Sequence, residues 1–358
     1  MKKLIQFELR KIFSKRLTQI ALLFVLFYSA ILGFSSYQNK YAFDGVSKEG
    51  TGKTAVEIDK EIAAKYEGVL TDEKVQQMMN DFAAQTNLHG MNAAYLYHNA
   101  LQSAVFTRFS DMNGNWNGVR VSDAFGGEEV RIGYVDGWLT TSQNMVKIFF
   151  ILSLVIVIMT APVFCGEYGG VDNIILTSRY GRTKCGAAKV GAGLIAAFIV
   201  TLAVAAVNIL FAFVLYGRDG LNCSVLFAPM PFDNGYIPFN ITCGTLLKYQ
   251  VLLAFTGTLS VAGITLLISA ISRNQMVALV ASAAVYFFPA VLPISESNPL
   301  FRFIGLLPMY HAQFVSLMSI EQMDNGILYA IWVIPTAFIF IETGAFASRR
   351  FFANHQVT

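Results

Sequence analysis

The chain is 358 residues long, 55% hydrophobic and only 14% charged, with a mean hydropathy of +0.52. Soluble domains carry roughly 25% charged residues, so this composition excludes an ordinary soluble domain and predicts a membrane protein. The net charge of +3 decides nothing by itself; what matters is where Lys and Arg fall, because short cytoplasmic loops collect them.

Residues 1–16, MKKLIQFELRKIFSKR, predict an amphipathic helix. Ile5, Leu9, Ile12 and Phe13 recur at spacings of three and four, Phe7 falls off that stripe, and Lys2, Lys3, Arg10, Lys11, Lys15 and Arg16 surround it. A helix of this kind lies as an elbow in the headgroup layer, held by anionic lipid and by its apolar side. The alternative is a basic flank that only orients the first span. The apolar run that follows is too long for the core of a cleaved signal peptide, and no small-residue cleavage site follows it.

Six transmembrane helices of roughly 20 residues are expected, at about 17–36, 145–165, 188–216, 247–271, 276–294 and 327–346. An even number of crossings puts both termini on one side. The basic N-terminal arm, the 162–189 loop, Arg273, and Arg349 with Arg350 then share a compartment, while the opposite short loops hold only Arg218, Lys248 and Arg302. That asymmetry predicts a multi-pass plasma-membrane protein with both termini in the cytoplasm, residues 347–358 forming a short tail.

Residues 37–144 read as a polar, mainly helical extracytoplasmic domain, with helices expected over 55–66, over 72–84 with Thr71 as a cap, and over 91–109. A Gly/Asn-rich stretch follows at 113–118. Acidic residues slightly outnumber basic ones there, which argues against a nucleic-acid partner. The stretch from Ser47 to Thr54, SKEGTGKT, ends like a phosphate-binding loop. It lacks that pattern's first glycine and any preceding buried strand, so a solvated loop is expected.

Cys223 and Cys243 share the outer 217–245 loop and form a candidate disulfide in an oxidising compartment. Two unpaired thiols are the alternative, since spacing does not fix geometry. Cys165 and Cys185, on the inner side, are expected to stay reduced. The 295–325 segment holds two apolar runs too short to cross, broken by Pro299 and Pro308, and predicts a hairpin dipping part-way into the membrane. On the fourth span Gly257, Ser260, Gly263 and Ser269 are small residues of the kind that let helices approach closely in lipid. His89, His98, His311 and His355 are dispersed without metal-ligand spacing. There is no HExxH or GxSxG motif and no charge near a span's centre, so neither catalysis nor ion-driven transport is expected of this chain alone.

The 162–189 loop, PVFCGEYGGVDNIILTSRYGRTKCGAAK, is the most informative stretch. Asp172 or Asn173 can start a short helix that Gly181 ends, with Arg179 and Arg182 beside its negative pole. Ile174, Ile175 and Leu176 give that turn an apolar side with nothing in the loop to cover it. A basic, capped turn of this kind suits docking on a soluble partner.

Together, the elbow, the six spans, this loop and the dipping segment resemble the type-2 ABC transporter permease family over nearly the whole chain. The sharpest local match is Glu167, Gly169 or Gly170, Leu176, Ser178 with Arg179, and Lys189. Members often carry a proline near the Ser-Arg pair, whereas this chain reads Thr177–Ser178–Arg179–Tyr180. The large insert after the first span is similar to those of Gram-positive members that handle peptides or antibiotics. The resemblance implies a permease subunit of an exporter for a peptide, antibiotic or other amphiphile. In it the loop is the coupling helix resting on a separate ABC ATPase, and Glu167, Ile174, Ile175, Leu176, Arg179 and Arg182 are the partner-facing set. It also implies a second permease subunit, the same chain or a related one. ATP and Mg would be held by the ATPase, and no cofactor by this chain. The competing reading is a non-transporting sensor or scaffold whose extracytoplasmic domain binds a ligand or partner.

Overall fold

The computed structural model describes residues 1–84, 99–111, 114–168, 170, 172–178, 180–227, 240–292, 298, 300–311 and 329–355. Among the described residues, four helices are long and apolar enough to cross a membrane: Arg16–Gln38 (α2), Asp136–Thr160 (α7), Gly181–Tyr216, and Cys243–Ile271 (α10). The third opens with a π-helical turn, Gly181–Cys185, and continues as α9, Gly186–Tyr216. The chain is therefore an all-α polytopic membrane protein, apart from two small two-stranded sheets among the described residues. The expected fifth span is a shorter apolar helix, α11, Gln275–Val291. Where the sixth was expected, helix α14 runs Tyr329–Ala353, beyond the expected end at 346; residues 327 and 328 lie outside the described residues.

Two further boundaries differ from expectation. Helix α7 starts at Asp136, nine residues before the expected 145, and ends at Thr160 rather than near Cys165. Its polar first turns hide the start. Its end is set by Pro162 and by Ser269 of α10, whose hydroxyl accepts the amides of Phe164 and Cys165 at 3.0 and 3.3 Å.

The residues fall into two compact units: Met1–Ser29, Val146–Ala206 and Gln250–Thr358 in the first, Ala30–Met145 and Val207–Tyr249 in the second. In the first unit, the N-terminal helix α1, Lys2–Ser14, is separated from α2 by Lys15 in an extended conformation. Helices α10 and α14 touch through glycine. A Cβ on Gly344 would sit 2.4 Å from the Gly263 carbonyl, and one on Gly263 would sit 2.9 Å from the Phe340 carbonyl. The small residues of α10 thus pack within the chain: Gly263 against α14, and Gly257 against His311 of a short turn, Pro308–His311 (α13).

The second unit has its own core. Between α2 and α7 come a hairpin, β1 (Tyr41–Phe43) with β2 (Glu49–Thr51), then α3 (Lys53–Tyr66) and α4 (Asp72–Ala84), the latter spanning the expected residues. The Thr71 hydroxyl accepts the Lys74 amide at 3.2 Å, as its capping role requires. Of the helix expected over 91–109, residues 91–98 lie outside the described ones; the rest is α5, Ala100–Phe109, capped by Asn99 on the Gln102 amide. Ile58, Ile62, Met78, Phe82, Val105 and Phe109 interlock at helical spacing and exclude water. A short strand, β3 (Gly68–Val69), pairs antiparallel with β4 (Arg131–Ile132). Lys40 is buried between the carboxylates of Asp59 and Asp136. Burial alone would push its ammonium down, but Asp136 and then Asp59 outweigh that and raise its pKa.

The stretch resembling a phosphate loop, Ser47–Thr54, runs from the β1–β2 turn through β2 into the first residues of α3. In the turn the amides of Val46, Ser47 and Lys48 all donate to the Asp44 carboxylate at 2.8, 2.9 and 3.0 Å, so that turn is already occupied by a carboxylate of the chain. Cys223 and Cys243 are free, buried thiols whose main chains are joined directly, the Cys243 amide donating to the Cys223 carbonyl at 3.0 Å.

Two outcomes are expected. Gly344→Leu forces side-chain atoms into the α10 backbone, and overpacking of this kind costs about 1–3 kcal/mol. A thermal melt of the detergent-solubilised chain should show a clear downward shift, whereas an unchanged melt would mean the helices do not touch there. Burial holds the Cys223 thiol up at about 11, so Cys223 in the native chain should resist maleimide at neutral pH and react only after denaturation, read by mapping the labelled peptide.

Candidate functional site

The residues singled out in the 162–189 loop meet α1 around a group of four charges, of which Glu8, Glu167 and Lys189 are buried and Lys11 is partly exposed. Lys189, in the first turn of α9, is fully buried; its ammonium lies 2.7 Å from the Glu167 carboxylate and 3.4 Å from that of Glu8, and it donates to the Val163 carbonyl at 3.1 Å. Lys11 of α1 pairs with the same Glu167. Two ammonium groups face two carboxylates, so the group is neutral. Burial, then the Lys189 charge, push the Lys11 pKa down against the pull of Glu8.

The loop is held from a second side by the end of α14. The ring of Phe164 packs on Phe352 at 5.1 Å, and Tyr168 stacks on His355 at 4.1 Å with planes 10° apart. Tyr168 also donates its hydroxyl to the Ala270 carbonyl at 2.9 Å. Arg182 donates to the carbonyls of Ala353 and His355 at 2.5 and 3.3 Å. Its charge therefore sits on the C-terminal end of α14, where a cation is favourable.

Between these anchors stands the expected short helix, α8, Asp172–Thr177. The side chains expected to cap it, Asp172 and Asn173, lie outside the described residues, as does all of Arg179. Gly181 ends the turn for a steric reason: a Cβ there would lie 1.5 Å from the Ile175 carbonyl. Leu176 is buried, so the turn does cover part of its apolar side; Ile175 is half-buried and Ile174 is 73% exposed. Lys184 lies over the Tyr180 ring, 3.9 Å from its centre.

A groove of about 550 Å³ runs between α8 and α1, with Leu4, Phe7, Ile174, Ile175 and Tyr180 on its walls and Glu8, Lys11 and Glu167 among its lining. Phe7, which breaks the stripe in sequence, is 64% exposed on this wall. The stripe itself, Ile5, Leu9, Ile12 and Phe13, turns inward: Ile12 is buried, the other three are half-buried, and Ile5 rests against Gly191 of α9. Arg10 stays exposed. Of the expected partner-facing residues, the structure brings Glu167, Ile174 and Ile175 together on the groove, turns Leu176 inward and ties Arg182 to the C-terminal carbonyls.

Sequence reasoning missed Glu8, Lys11, Phe7 and the α14 contacts. A signal for Glu8 was present: it is the one acid in a basic stretch, and it falls on the apolar stripe between Ile5 and Ile12. Nothing local points to Phe352 or His355. Among the described residues no group of three or more His, Cys, Asp or Glu could hold a metal ion. The chain matches no protein-family model, no curated protein and no solved structure.

Removing one partner from a buried charge group leaves the other uncompensated, at a cost of about 3–5 kcal/mol. Lys189→Met should therefore lower the melting temperature sharply, and the triple change with Glu8→Gln and Glu167→Gln should recover much of the loss. If the single and triple variants melt alike, the charges do not depend on one another.

Proposed function

We propose that this chain is the membrane-spanning permease subunit of an ATP-driven exporter, with six crossings and both termini in the cytoplasm. The groove between α1 and α8 is the seat of a separate ATPase. The observation that carries this reading is the pairing of exposed with locked residues. Leu4, Phe7, Ile174 and Tyr180 present apolar surface outward, and immediately beneath them Glu8, Lys11, Glu167 and Lys189 bind that surface to the start of α9. Apolar residues on a rigid base are what a mechanical contact needs: the exposed part binds, and the buried part passes displacement into the membrane helices.

In this reading two ATPases, each holding ATP and Mg, close on one another and carry the groove with them. The motion enters α7 and α9, which flank the loop, and the spans of two permease subunits rearrange to move a peptide, antibiotic or other amphiphile outward. The chain itself supplies no catalytic group and no cofactor. The second unit then lies outside the cell, where Cys223 and Cys243 meet oxidising conditions. Its own hydrophobic core favours the competing reading of a sensor or scaffold, since such a unit can bind a ligand without any transport.

Phe7→Asp with Ile174→Asp places two carboxylates on the exposed walls and leaves the buried charges intact. The expected outcome is loss of ATPase co-purification from membranes by about tenfold or more, with insertion and melting temperature unchanged. Unchanged ATPase recovery would remove the groove as the docking surface. A protease site inserted beside Ile174 that is cut from outside intact cells would overturn the topology. Co-purification of a kinase without an ATPase would favour the sensor.

A further inference from the structure

We propose that a cavity enclosed by α10, α11 and α14 is a binding site for a small apolar molecule carrying one hydroxyl, an alcohol or a phenol. The cavity measures about 190 Å³ and its walls are almost wholly hydrocarbon: Val261 and Ile264 from α10, Val285 and Phe288 from α11, Phe340 from α14, and Leu307 from the turn before α13. An apolar cavity of about 150 Å³ is enough to bind benzene, so the space suits a molecule of phenol size or the end of a medium-length chain. Val285 and Phe288 are each about half exposed on the flank of α11, which puts the entrance on an apolar surface.

Two polar groups in this wall are short of partners. The hydroxyls of Thr265 and Ser282 are buried, line the cavity, and make no hydrogen bond among the described residues. Elsewhere in α10 such hydroxyls bond back to their own helix: Thr258 donates to the Ala254 carbonyl at 2.8 Å and Ser260 to that of Thr256 at 2.6 Å.

These groups select the occupant's chemistry. A charged molecule finds no countercharge in the wall. Water alone is a poor filling, because each water needs two to four polar partners and the space holds several. A pure hydrocarbon leaves the two hydroxyls unsatisfied. A single hydroxyl can accept from Ser282 or Thr265 and donate to another acceptor in the wall, while its carbon skeleton takes the apolar remainder. This assignment does not depend on the transport reading.

The test uses the full chain in lipid nanodiscs with a diazirine-bearing octanol as photoprobe, and maps labelled peptides by mass spectrometry. Label should concentrate on Tyr286 and Met309 and be displaced by excess 1-octanol at lower concentration than by octane. Ser282→Leu, which fills the space, should abolish it, and Ile264→Trp provides a second filling from another helix. Thr265→Val with Ser282→Ala, which keeps the volume and removes both hydroxyls, should weaken octanol competition by about tenfold with the melt unchanged. Label spread over the exposed flank at Val277, Val280 and Val291, or label surviving both filling variants, would overturn the site. Equal competition by octanol and octane would overturn the hydroxyl assignment.

Discussion

The contact of α1 with the rest of the first unit depends on taking three charges out of water together. Glu8, Glu167 and Lys189 come from an N-terminal helix, a loop and the start of a membrane helix, and each is buried beside an opposite charge, with the partly exposed Lys11 closing the group at its rim. An isolated buried ion is so costly that the loop and α1 have one shared arrangement in which all three are satisfied. Apolar packing of Ile5 and Ile12 supplies adhesion, but it would tolerate sliding. The charges fix the register.

That constraint explains the division of the loop's side chains. Glu167, at the charge group, and Phe164, against the end of α14, face inward. Residues on the far side of the Asp172–Thr177 turn have nothing left to cover them, and Ile174 is the most exposed result. Ser269 plays a quieter part: by accepting two amides just after α7 ends, it lets the chain leave helical geometry without stranding polar groups in an apolar setting.

Much of this was legible in the sequence because it is local. The amphipathic repeat of residues 1–16, the Thr71 cap before 72–84, the small residues of α10 and the glycine ending the loop turn each carry their cause within a few positions. What escaped was set by partners far away in the chain. Arg182 reads as the cation for its own helix, yet the carbonyls it reaches are at Ala353 and His355. Leu176 reads as uncovered because nothing in its loop is large enough to cover it. The first turns of α7, beginning Asp136-Gly137-Trp138, are too polar to read as a span, but Trp138 is fully buried and donates to the Asp219 carbonyl at 2.6 Å. Burial of that kind depends on the fold and leaves no periodic trace.

The stacking of Phe164 and Tyr168 on Phe352 and His355 has a bearing on biogenesis. A ribosome delivers the 162–189 loop long before it delivers α14, so for that part of synthesis the inner face of the loop lacks this neighbour to rest on. The surface around Ile174 becomes properly seated only when α14 arrives. A chain cut short before α14 therefore shows a different, looser face to the cell, and a soluble protein that recognises the seated form is in effect checking that α14 has been made.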